Sequence, residues 1–541
     1  MQKHTIPSLL QRALAANPDS EALVFPELRL SYRQLDERIR IFARALLALE
    51  IDRGDTVGIL MPNSADNVAC FLAATSIGAL CIPINSRFKA RELGHVITDS
   101  GMKVLLTSDI VAEHVDFSGR LNEALPELSA SAANQALDIA SAPNLNYIVM
   151  LGNSHIAGMM DEACFVDMCA KTTEQQLQRR IDAVEPSFPA MMLYTSGTTA
   201  MPKGCPINHE QIICVSLNIA ERFGIQDGDR VWNALPLFHA SSLLPMLATF
   251  SKASTFFSLM HFSADKALAQ LENENITLAW PAYNTIWQPI LTHPKFSAEK
   301  IPLLRGLLCV GPEETLAVME KAFPQAKIMS CYGITECTGL PIMPWYTDSA
   351  KVRYGTCGLP LDGVQVQIRD AETDLPVPAG TRGALWLSGR YVIEGYWNDP
   401  VKTAECFDKE GWFNTGDLAS VNDEGYVYFH GRLKDTLKVG GENVAAVEVE
   451  AFLTTHPAVT LSAVVGVPDA KYGEVPAAFV ELRPGQSVTE EELIEFCRNG
   501  LSGFKVPRFV RMVTEWPMSA TKIKKVDLQA ALLDELGIAS S

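Results

Sequence analysis

Leu193-Tyr194-Thr195-Ser196-Gly197-Thr198-Thr199-Ala200-Met201-Pro202-Lys203-Gly204 sets a run of hydroxyl and glycine positions directly after an apolar start. Glycine frees backbone N–H groups to converge and the short hydroxyls add donors, which is the inventory needed to wrap phosphate oxygens. Lys203 adds a mobile positive charge, and Pro202 restricts the paths the loop can take. The spacing G-x-x-x-x-G-K-[ST] is absent, so this is not a Walker A loop. Composition by itself leaves a Ser/Thr/Gly surface loop as an equal alternative.

Working outward, Ser31-Tyr32-Arg33-Gln34 has capping-box form, and Leu35, Ile39, Phe42 and Leu46 then recur at helical spacing. Strand-like runs at 56–61, 80–84 and 104–107 alternate with helical segments at 64–77 and 92–100. Such alternation predicts a mostly parallel sheet covered by helices on both faces. After a less regular stretch near 110–190 the rhythm returns at 231–237, 253–257, 276–280, 304–310 and 327–331. These strand ends run into polar, glycine-rich sequence, where open α/β sheets place ligands. Glycine-punctuated strands at 364–368 and 383–387 predict a smaller, more antiparallel subdomain.

Beyond the charged stretch Arg432 to Asp435 a separate α+β unit is expected, with helices at 444–454 and 488–497 and extended runs at 461–467, 477–482 and 510–513. The expected fold class is therefore α/β. A large N-terminal domain over 1–432, with mostly parallel sheets and a small β-rich subdomain, precedes a small α+β domain over 433–541.

Length supports the division, because 541 residues exceed what one compact core holds. Hydrophobic residues at 48% and charged residues at 20% give the balance of a globular chain. A formal charge of -18 excludes the broad basic face that duplex nucleic acid or an anionic membrane demands, while a local positive pocket for a small polyanion stays open. The 12 cysteines sit singly in apolar contexts, as around Cys70 and Cys309, which predicts reduced thiols and a cytoplasmic location. No signal-peptide h-region opens the chain, and no apolar run reaches the roughly 18 residues of a membrane span.

Further motifs follow in order. Cys331-Tyr332-Gly333-Ile334-Thr335-Glu336 closes a strand, although Thr-Glu there can simply cap a helix. Trp412-Phe413-Asn414-Thr415-Gly416-Asp417-Leu418 sets a carboxylate among apolar residues, where it can also cap backbone donors. His430-Gly431-Arg432-Leu433-Lys434-Asp435 supplies a guanidinium suited to oxyanions. Gly440-Gly441-Glu442-Asn443-Val444 reads as a turn that opens a long helix, and Ser519-Ala520-Thr521-Lys522-Ile523-Lys524-Lys525 as a basic patch. His239, in Leu237-Phe238-His239-Ala240-Ser241, follows an apolar strand, and a lone histidine there is more often structural.

Taken together, from roughly Ser31 to Lys525, these motifs resemble those of the adenylate-forming (AMP-binding) superfamily, in particular its acyl-CoA synthetase branch. The resemblance implies that Thr195, Ser196, Gly197, Thr198, Thr199 and Lys203 hold the phosphates of ATP. It implies Tyr332 against adenine, Thr335 near a phosphate, Glu336 near Mg2+, Asp417 on the ribose hydroxyls and Arg432 on ribose and phosphate. His239 corresponds to a histidine beside the bound carboxylate or acyl group. Gly440 and Gly441 line the coenzyme A side, Lys434 is the hinge of a mobile C-terminal domain, and Lys522 is the catalytic lysine, with Lys524 its rival. The chain departs from the family pattern at Ala200, where glycine is usual, at Ala445-Ala446, where proline is common, and before Lys522, where one residue is missing.

The implied reaction is attack of a small-molecule carboxylic acid on Mg-ATP to give acyl-AMP and pyrophosphate, then transfer to coenzyme A. Loading of a carrier-protein thiol and a non-catalytic nucleotide-binding protein are the alternatives. The segment around His239 offers no acid to pair a substrate ammonium, which favours an acid lacking an α-amino group.

Overall fold

The computed structural model describes residues 3–195, 201–311, 313–439, 442–469, 471–519 and 522–538. Two seven-stranded sheets dominate the N-terminal part. One has the order Met160–Asp161, Tyr147–Leu151, Val104–Ser108, Thr56–Leu60, Leu80–Pro83, Pro189–Thr195, Lys203–Asn208. The other runs Lys327–Met329, Gly306–Val310, Leu278–Tyr283, Arg230–Trp232, Thr255–Phe257, Glu21–Val24, Arg29–Ser31. Each is parallel except at one edge, where Lys203–Asn208 and Arg29–Ser31 pair antiparallel.

The capping box at Ser31 is formed: its hydroxyl accepts from the Gln34 N–H, and the Gln34 side chain accepts from the Ser31 N–H. The resulting helix Tyr32–Ala48 buries Leu35, Ile39, Phe42 and Leu46 in the main core. The helix Ala65–Ser76 is buried all round, consistent with its position between layers rather than at the surface.

A four-stranded antiparallel meander, Val364–Arg369, Gly383–Gly389, Phe413–Val421 and Val427–Arg432, forms the β-rich subdomain with its own apolar cluster. A five-stranded sheet joins Glu442–Ala445, Thr436–Val439, Gly473–Leu482, Val459–Asp469 and Phe509–Met512. Its strands bury both faces by alternation. Val464 packs against the helices Ala446–Thr454 and Glu490–Gly500, whereas Ala463, Val465 and Val467 pack against Lys525–Glu535.

Three expectations are corrected. Val444 does not begin a helix: it pairs with Leu437 in a hairpin that buries both, and the helix starts at Ala446. The strand expected at 231–237 stops at Trp232, because the Asn233 side chain accepts from the Leu235 N–H at 2.8 Å and turns the chain. The irregular stretch near 110–190 contains the buried strand Tyr147–Leu151, an apolar run without alternation.

Candidate functional site

The strands Pro189–Thr195 and Lys203–Asn208, which flank the Ser/Thr/Gly motif in sequence, pair antiparallel with Thr195 directly opposite Lys203. Ser196, Gly197, Thr198 and Thr199 lie outside the described residues. The base of the loop is anchored on three sides. Tyr194 donates through Oη to Asp99 Oδ2 at 2.7 Å, His95 Nε2 lies 2.9 Å from the Pro202 carbonyl oxygen, and the Trp397 N–H donates to the Gly204 carbonyl at 2.8 Å. Gly204 is required by that approach, since a Cβ there would come within 2.8 Å of Met192 Sδ and 2.9 Å of Trp397 Cβ. The Lys203 ammonium sits 5.7 Å from the centroid of the Tyr396 ring.

The second motif is folded tightly on itself. Thr335–Cys337 forms a short 3-10 turn, followed by left-handed Thr338 (φ 53) and Gly339 (φ 83). A Cβ on Gly339 would stand 2.5 Å from that of Ala240, so the turn carrying Thr335 and Glu336 packs on the first turn of the helix Ala240–Ser251. His239 occupies the N-cap of that helix, its ring 4.6 Å from that of Phe238. Glu336 Oε1 accepts from Tyr396 Oη at 2.8 Å. Burial first, and then the Glu336 charge, push the Tyr396 phenol up, so it serves as a neutral donor.

The third group is a triad with a buried carboxylate at its centre. Asp417 and Arg432 are cross-strand partners in the meander, and Arg432 Nε lies 2.9 Å from Asp417 Oδ1. Arg432 Nη1 also donates to the Thr415 carbonyl at 3.3 Å. Tyr332 donates its hydroxyl to Asp417 Oδ2. The Asp417 side chain is 2% exposed, whereas that of Arg432 is 37% exposed. Burial, reinforced by Asp417, raises the Tyr332 phenol well above its ordinary value, so this group too stays protonated and donates. Phe429, which the sequence reading did not single out, places its ring 6.0 Å from that of Tyr332 and is 41% exposed.

The segment 332–336 thus links the three groups. Tyr332, hydrogen-bonded to Asp417, and Glu336, hydrogen-bonded to Tyr396 beside Lys203, stand four residues apart in the chain. Lys434 lies in the 3-10 turn Leu433–Asp435 that follows the last meander strand. The backbone of Lys522 belongs to a small hairpin, Met518–Ser519 with Lys522–Ile523, just before the helix Lys525–Glu535. The side chains of Lys434 and Lys522 lie outside what the structure describes, as do Gly440 and Gly441. Lys524 is exposed, and Lys525 forms an ion pair of 2.6 Å with Glu450 on the helix Ala446–Thr454.

Among the described residues, no three His, Cys, Asp or Glu side chains converge as a metal cage. Mg2+ does not need one, because it keeps several waters and takes its other oxygens from one or two carboxylates and the substrate phosphates. Glu336, an oxygen donor set near Lys203 through Tyr396, fits that requirement.

Family profiles match the chain in two places: one described as AMP-binding enzyme over residues 10–397, and one described as AMP-binding enzyme C-terminal domain over 448–522. The putative acyl-CoA synthetase YngI of Bacillus subtilis (strain 168) is 32% identical, covering 99% of this chain and 98% of that protein. Among solved structures, the anthranilate CoA ligase AuaEII in complex with anthranoyl-AMP superposes with a TM-score of 0.85 at 25% identity over 99% of both chains. ATP-bound MatB from Rhodopseudomonas palustris gives 0.83 at 25% identity, over 98% of this chain and 99% of that one.

Proposed function

Because the chain belongs to the AMP-binding enzyme family, we propose that it is an AMP-forming acid–thiol ligase, which activates a carboxylic acid with ATP and passes the acyl group to coenzyme A. The observation that carries this reading is the segment from Tyr332 to Glu336, which links the Asp417–Arg432 pair to the loop base at Lys203.

In the first step a carboxylate oxygen attacks the α-phosphate and pyrophosphate leaves. Two anions must meet, and repulsion opposes them in solution, so positioning and fixed positive charge supply most of the catalysis. Asp417 accepts the ribose hydroxyls, Arg432 contacts ribose and phosphate, and Lys203 with Thr195 and the 196–199 segment receives the terminal phosphates. Thr335 donates to a phosphate oxygen and Lys522 opposes the charge that gathers in the transition state. Mg2+, held by Glu336 and the phosphates, would neutralise part of the leaving-group charge.

Thioester formation needs room for a long thiol arm where Lys522 stood. The domain boundary falls near Lys434, and the segment after it turns as a unit to bring Gly440 and Gly441 to the cleft. That division is supported by the cores, since the apolar clusters of the last segment draw only on residues from Leu437 onward. Lys434→Pro, by fixing the backbone there, should slow exchange between the two half-reactions; wild-type rates in both would refute the hinge.

The acid lies beside His239 and the first turn of the helix it caps, and it lacks an α-amino group. Release of AMP by the purified protein, screened with coenzyme A and short, medium and long fatty acids, aryl acids and sterol-type acids, tests the whole reading. At least one class should give AMP and acyl-CoA in equal amounts; silence across the panel would overturn it.

A further inference from the structure

Tyr396 belongs to none of the motifs that led to the site, yet it touches two of them. Its backbone is fixed from both sides. The Tyr396 N–H donates to Thr403 Oγ1 at 2.9 Å, and a Cβ on the preceding Gly395 would come within 2.8 Å of Thr403 Cγ2. Trp397, next in the chain, donates its N–H to the Gly204 carbonyl at 2.8 Å and its indole N–H to the Asp99 carbonyl at 3.1 Å. The same Asp99 accepts from Tyr194 at 2.7 Å, so the Tyr396-Trp397 pair is stapled to the base of the phosphate loop.

From that base the Tyr396 side chain crosses to the other motif. Its hydroxyl donates to Glu336 Oε1 at 2.8 Å, and its ring lies 5.7 Å from the Lys203 ammonium. A second tie runs in parallel, from the Ile393 N–H to the Glu336 carbonyl at 2.9 Å. A glutamate on a short, half-exposed turn has several rotamers to choose among, and a hydrogen bond to its charged form selects one of them.

We propose that Tyr396 is a positioning residue for the adenylation step: its hydroxyl fixes the Glu336 carboxylate beside the Tyr396–Lys203 contact, so that Mg-ATP meets an oxygen ligand already in place. The inference rests on the reading of Glu336 as the metal-facing carboxylate. A purely architectural role for the same hydrogen bond would bear on nucleotide binding with and without metal alike, which separates the two.

The test is ATP binding by the full-length protein, measured calorimetrically in EDTA and again in saturating Mg2+. Tyr396→Phe keeps the ring and removes the donor. The gain in ATP affinity that Mg2+ confers should shrink about tenfold, while affinity in EDTA stays within about twofold of wild type. Glu336→Gln should lose the gain altogether, and adding Tyr396→Phe to it should change nothing more. An undiminished Mg2+ gain in Tyr396→Phe, or an equal loss in both buffers, would overturn the proposal. If Glu336→Gln itself keeps the full gain, the assignment of Glu336 falls and this inference with it, while ATP binding by the wild type leaves the ligase reading in place.

Discussion

Asp417→Asn is the sharpest probe of the nucleotide site. The carboxylate is 2% exposed, accepts from Tyr332 on Oδ2 and forms an ion pair with Arg432 through Oδ1. In the proposed reading the ribose hydroxyls sit on this carboxylate, with Arg432, whose side chain is 37% exposed, beside it. The amide keeps one acceptor oxygen and loses the charge. Hydrogen bonds to charged groups contribute about 1.5–3 kcal/mol and neutral ones about 1, so two weakened ribose contacts amount to roughly 2 kcal/mol, or about thirtyfold in ATP affinity. Calorimetric titration with ATP and with 2′-deoxy-ATP isolates that term. The wild type should prefer the ribonucleotide, and the variant should bind both weakly and nearly alike. An Asp417→Asn protein that still discriminates between them as the wild type does would refute the assignment of Asp417 to the ribose.

Lys522→Ala should slow acyl-adenylate formation by about 10²–10³-fold yet leave thioester formation from supplied acyl-adenylate intact. Lys524→Ala should leave both steps near wild type, and the reverse pattern would move the catalytic role to Lys524. Gly339→Ala combines left-handed backbone with a methyl 2.5 Å from that of Ala240, so it should destabilise the protein by about 2–3 kcal/mol and lower the adenylation rate through Thr335 and His239; an unchanged melting temperature would contradict that packing argument. His209, fully buried and accepting from the Ile6 N–H at 3.3 Å, has its imidazolium pushed down to about 3 by burial. Its folded value lies below its unfolded value of about 6.5, so the stability it contributes is complete above pH 6.5 and is lost as pH falls toward 3. Melting temperature should therefore decline through that window, and His209→Gln should flatten the decline; an equally steep profile in the variant would assign the loss to other groups.

Local chemistry was legible wherever the signal was short in range. The Ser31 box, the alternation of strand and helix behind both large sheets and the antiparallel character of the meander all follow from patterns that neighbouring segments carry, and each is formed. What depends on register was not. Asp417 and Arg432 are each visible as candidate residues, but their pairing is set by a register shift between Leu418 and Ala419 that no periodicity announces. Val444 misled because a buried β-branched residue before an apolar helical run looks the same in a hairpin arm as in a first helical turn. Tyr147–Leu151 escaped notice because a fully buried strand loses the polar alternation that marks a half-buried one. Tyr396 carried no signal at all, since a tyrosine beside a tryptophan suggests core, and its value comes only from the Glu336 oxygen it meets.

Acid-dependent exchange of labelled pyrophosphate into ATP, measured with coenzyme A withheld, goes straight to the central claim. The two-step account predicts exchange as soon as a competent acid from the panel is supplied, with no thiol present, because acyl-AMP forms first and reversibly. A protein that makes acyl-CoA from that acid but exchanges no label until coenzyme A is added would contradict it.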